Sequence, residues 1–178
     1  MTIHTSLADL NAADRDAFVA AIGHAFERSP WVAAEAWDRR PFATVDGLHA
    51  AMIASMWAAP ASRKLALIEA HPDLAGKAAI AGDLTADSAN EQASAGLDRL
   101  SAEEFATFTR LNSAYRERFG FPFIICVREQ STGSILAPFE RRLAHDREAE
   151  METALTEIAK IAWLRLADML SAQPPCRT

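Results

Sequence analysis

His71 stands in the stretch EAHPDLAG, where one helical pattern has just ended and Pro72 disfavours its continuation. That junction lifts the imidazole off a packed helical face and fixes its backbone. The C-terminal end of the preceding helix favours a protonated ring, which suits a proton donor or shuttle. On His-Pro alone, a polar residue in a helix–helix turn accounts for the pattern as well. In SANEQASAGL, Ser88, Glu91 and Gln92 fall at i, i+3 and i+4 and so share one face. If that face opens a helix, its free N–H groups and partial positive charge form a seat for a carboxylate. The competing account is a plain capping box, Ser88 with Glu91 three residues on. Gln92 is not needed for such a box, and Gly96 just beyond implies close approach by another element.

Arg165, in IAKIAWLRLADML, is the third candidate. On a helical wheel the apolar stripe holds Leu155, Ile158, Ala162, Leu166 and Met169, and Arg165 lies at its flank between Ile158 and Ile161. A charge there needs a partner or a ligand, because an unpaired buried cation is costly; otherwise it snorkels to the stripe edge. Its replacement by Met is expected to leave the fold equally or more stable. The five histidines form no H-E-x-x-H pattern, and Cys126 and Cys176, 50 residues apart, define neither a disulfide framework nor a metal site. Phosphate-loop, dinucleotide and G-x-S-x-G signatures are missing as well, so any enzyme here is expected to work with side chains alone.

The elements that position these residues read as helices. With 178 residues, half of them apolar, and a formal charge of −6, the chain fits one globular domain over 1–178 and offers no basic footprint for nucleic acid. No run reaches membrane-spanning length and no leader pattern opens the chain, so the expectation is a cytoplasmic protein that does not enter a membrane. Helical spacing begins near Asp14 (Phe18, Ile22, Phe26). It returns in a short helix over 31–39, in one capped by Thr44, and in one begun by Ser62 that ends at His71. PDLAGKAAIAG is expected to be a short helix with Pro72 first and Gly82 closing it. Capping boxes at 88–91 and 101–104 open a helix to about Asp98 and a longer one with Phe105, Phe108, Leu111, Tyr115 and Phe119 in phase. GSILAPFERRLA reads as a short helix broken or restarted at Pro138, and a last helix runs from about Asp146 to Leu170, leaving 172–178 as a frayed tail. The fold class is all-α, about eight helices.

One stretch departs from this pattern. Phe121 to Val127 (FPFIICV) is apolar, aromatic and β-branched, bounded by Gly120 and Arg128, and reads as extended chain. No second segment reads as its partner strand. Its buried backbone must then turn to water, to side chains or to a bound molecule.

Taken in order, HPDLAG (71–76), SANEQASAGL (88–97), RFGFPFIICV (118–127) and the RL of WLRLADML (165–166) resemble the 2-oxo-4-hydroxy-4-carboxy-5-ureidoimidazoline (OHCU) decarboxylase family over about residues 5–171. The resemblance implies an all-helical, cofactor-free, homodimeric carboxy-lyase that yields S-allantoin in urate breakdown. It makes His71 the catalytic histidine, with Glu91 orienting or charging it. Pro72, Ser88 and Gln92 would line the site. The main chain of Phe123, Ile124, Ile125, Cys126 and Val127 would hold the ureido and ring amide groups of the anionic substrate, and Arg165 would meet its negative charge. The rival readings are a helical module that binds a ureide without turnover, and a decarboxylase of a related imidazoline acid.

Overall fold

The computed structural model describes residues 5–171; Cys176 and the tail expected to fray lie outside the described residues. Ten α-helices and three 3-10 turns are found, with no β-strand among the described residues. The all-α expectation holds, and short helices account for the larger count. Residues 5–67 with 159–171 form one compact unit, and Ile68–Ile158 form another.

The first unit begins with α1 (Leu7–Ala12), a helix that the periodicity reading starts too late to catch. Ser6 and Asp9 open it as a reciprocal capping box. Asp14 caps α2 (Arg15–Ile22), Pro30 precedes α3 (Trp31–Ala36), and Thr44 caps α4 (Val45–Ala58), as their sequences require. The core is Leu10, Phe18, Ile22, Phe26, Val32, Leu48, Met52 and Met56, each at most 1% exposed. Burial of one such side chain contributes about 1.5–3 kcal/mol. α5 (Ala61–Glu69) leads out of this unit, and α10 (Arg147–Ser171) returns to it.

In the second unit α6 (Lys77–Ala81) and α7 (Ala86–Ser94) precede α8 (Ala102–Phe119), which opens on the expected Ser101–Glu104 box and closes on Gly120 at φ +81°. That left-handed conformation suits glycine. Phe108, Leu111, Tyr115 and Phe119 face inward as spaced, whereas Phe105 is exposed. α9 (Thr132–Arg142) is continuous through Pro138, not broken there. It starts earlier than expected because Ser131 and Ser134 form a capping box. Phe123 stacks on Phe139 with ring centroids 3.8 Å apart, and Tyr115 meets Phe121, Phe123 and Phe139 edge-on. Each such pair adds about 0.5–1.5 kcal/mol beyond its burial. This aromatic cluster pins the segment that has no strand partner.

Candidate active site

The chain leaves α5 at Glu69, and His71 follows with its N–H on the Ile68 carbonyl (3.1 Å) and its residue surface 7% exposed. Pro72 does not start a helix. α6 begins at Lys77, so residues 72–76 form an irregular loop. Helical pairing cannot satisfy that loop, and side chains do it instead. Gln92 Oε1 accepts from the Ala75 N–H (3.0 Å) and its Nε2 donates to the Asp73 carbonyl (3.4 Å). Asn112 Nδ2 donates to the Leu74 carbonyl (2.8 Å), and Arg116 Nε bonds both Asp73 carboxylate oxygens (2.9 and 3.0 Å). Ala75 is held at φ +50°, and a Cβ on Gly76 would meet the Asp73 Cβ at 2.7 Å. The loop is therefore a tight, strained turn that its surroundings hold in place.

The capping box at 88–91 is not formed. Thr85 caps α7, its hydroxyl accepting from the Ser88 N–H (3.3 Å), because Thr85 with Asp87 supplies a cap one turn earlier. Ser88 therefore lies at the third helical position, and the helix ends at Ser94 rather than near Asp98. Ser88 and Gln92 are buried and Glu91 is half-buried. The amide of Gln92, expected to line the site, is committed to the His71 loop. Gly96, at φ +81°, is approached closely: a Cβ there would lie 3.1 Å from Thr132 Oγ1, whose hydroxyl donates to the Ala95 carbonyl (2.9 Å).

The extended segment runs over 121–126, since Val127 opens a 3-10 turn, Val127–Glu129, that packs against α7. Every residue from Phe121 to Val127 is buried. Side chains take part of its main chain. Arg142 Nη1 donates to the Ile124 carbonyl (2.7 Å), and the Cys126 N–H donates to Glu157 Oε2 (2.8 Å). Arg142 stacks over the Phe123 ring and pairs with Glu150, which is fully buried and is also reached by Tyr115 and His145. Periodicity gives no sign of Arg142, Glu150 or Glu157 as supports; only charged residues inside otherwise helical patterns hint at them. The Cys126 thiol is pushed up to about 11, first by burial and then by the negative charges of Glu129, Glu157 and Glu91. Burial and its bond to Glu150 push the Tyr115 hydroxyl upward as well, so it stays a donor.

His71, Pro72, Ser88, Glu91, Gln92 and 123–127 all fall within Ile68–Ile158, while Arg165 belongs to the other unit. There its guanidinium, 4% exposed, meets the buried Glu27 at 2.9 Å, and it also reaches the His24 carbonyl (3.4 Å). The partner that its position on the stripe demands is a carboxylate of the same unit. Among the described residues no group of three or more His, Cys, Asp or Glu could hold a metal ion.

A loop-borne buried histidine, a polar helix face and a side-chain-braced extended segment thus fall within one compact helical unit. The model of the OHCU decarboxylase family matches residues 11–167, and the chain belongs to that family. Proteins called 2-oxo-4-hydroxy-4-carboxy-5-ureidoimidazoline decarboxylase from Halalkalicoccus jeotgali and Haloferax volcanii are each 45% identical to it. The first match covers 90% of this chain and 89% of the relative, the second 94% and 98%. A crystal structure of (S)-allantoin synthase superposes with a TM-score of 0.73 at 31% identity, covering 93% of this chain and 54% of that one. The chain thus spans about half the length of that synthase.

Proposed function

We propose that this chain decarboxylates OHCU to S-allantoin, with His71 as the proton shuttle. Family membership along residues 11–167 carries the reading, and the arrangement inside Ile68–Ile158 supports it. OHCU has a carboxylate and a hydroxyl on one ring carbon beside a C=N bond. When the C–C bond to the carboxylate breaks, CO₂ leaves and the electron pair flows into the imine. A proton delivered to one face of the ring then sets the configuration. The chemistry needs no external electron sink, so the enzyme's task is to orient the carboxylate and deliver the proton.

In this reading His71 moves the proton and Glu91 orients or charges it, as a carboxylate orients a catalytic imidazole. Pro72 and Ser88 line the site, and the main chain of 123–127 pairs with the ureido and ring amides in the way an added strand would. Since the Ile124 carbonyl and the Cys126 N–H already have side-chain partners, those two groups act by fixing the segment. Gln92 acts through the His71 loop that it bonds. Arg165, expected to meet the substrate's negative charge, is paired with Glu27 within the other unit. A homodimer in the cytoplasm completes the reading; no described helix is long and apolar enough to cross a membrane. OHCU decays spontaneously to racemic allantoin, so the test is optical. Protein added to freshly generated OHCU should speed CO₂ release and give an excess of the S product. Faster decay to a racemate, or no acceleration, would contradict it.

A further inference from the structure

We propose that Asn112 and Arg116, on consecutive turns of α8, are positioning residues for His71; the proposal rests on the reading of His71 as the proton shuttle. Residues 73–75 are gripped at four places: the Asp73 carboxylate by Arg116, the Asp73 carbonyl and Ala75 N–H by Gln92, and the Leu74 carbonyl by Asn112. Pro72 has a fixed φ and restricts the residue before it. Whatever holds Asp73 and Leu74 therefore dictates how His71 leaves α5. The loop would not keep this form by itself, since Ala75, a residue with a Cβ, sits at φ +50°. Asn112 has its Oδ1 buried with no partner. An unsatisfied buried acceptor is a cost, and that cost accompanies the one donor the Leu74 carbonyl uses. α8 runs for 18 residues, is capped at both ends, and so supplies a rigid base.

A small displacement of a catalytic group lowers the rate of chemistry more than it lowers binding, by up to about a hundredfold for 1 Å. Arg116→Met and Asn112→Leu are each expected to lower kcat by about ten- to a hundredfold while KM stays within about threefold. They should also erode the S excess, because a loosened imidazole protonates both faces. Arg116→Lys should recover part of kcat, restoring the charge without the shared guanidinium bond. Circular dichroism and thermal melting on each variant report the folded fraction, and His71→Ala runs alongside. The proposal is overturned if both variants keep full kcat and S excess while His71→Ala is dead. It is also overturned if the variants raise KM alone, or if both fail to fold, which would make the two residues parts of the scaffold. S-selective turnover by His71→Ala would overturn the shuttle reading itself and take the clamp with it.

Discussion

Removing the Arg165 guanidinium would leave Glu27, whose side chain is 2% exposed, as a buried carboxylate without its cation. The sequence favours a gain in stability for Arg165→Met; the ion pair reverses the sign. Breaking a buried pair from one side costs about 3–5 kcal/mol, whereas replacing both members by apolar residues is often neutral or favourable. Urea unfolding should therefore show Arg165→Met less stable by that amount, and Glu27→Leu with Arg165→Met should recover most of it. Equal stability of the single variant would mean that the pair does not exist in solution. Cys126 offers a second residue-scale check. Its folded-state value is raised from 9.0 to about 11, so the thiol's contribution to stability is complete below pH 9 and is lost as pH rises through 11. In a Cys176→Ser background at pH 8, a thiol held this far above its ordinary value should react with an aromatic disulfide about a hundredfold more slowly than the unfolded chain does. Labelling at the unfolded rate would place Cys126 outside the core.

At the scale of elements, helices are legible where a cap or a glycine stop marks them. Asp14, Thr44, Ser101 and Gly120 fall where their side chains or φ angles require. Legibility fails where two caps compete, as Thr85 does with Ser88. It fails also where side chains rather than helical bonds satisfy the main chain, as in 72–76. No periodicity reports a bond from Asn112 to a carbonyl 38 residues away. The extended segment is legible as unpaired, but its supports are not, because Arg142 and Glu150 each look like ordinary polar positions on an amphipathic helix. Arg142→Met would take from the buried Glu150 its arginine partner, leaving it Tyr115 and His145, and would release the Ile124 carbonyl. A loss of about 3–5 kcal/mol on urea unfolding is expected, with S selectivity lost in whatever fraction stays folded. A variant as stable as the parent would show that the aromatic cluster alone holds the segment.

At the scale of the whole molecule, the family match crosses both compact units, although the His71 loop, the α7 face and the extended segment fall within one of them. Family motifs point to His71, Ser88 and Glu91 from sequence; what holds the His71 loop is not readable there, because Gln92 and Asn112 reach it from 17 and 38 residues away. The proposed side-chain chemistry implies that exhaustive dialysis against EDTA leaves the rate unchanged, and a chelator-sensitive rate restored by metal would contradict it. The proposed proton transfer rests on His71, and a circular-dichroism time course on freshly generated OHCU tests it most directly. With wild-type protein the S-allantoin signal should rise ahead of spontaneous decay. With His71→Ala, at unchanged far-UV spectrum, the optical signal should be absent while racemic product accumulates at the uncatalysed rate. An S excess from that variant would contradict the role given to His71.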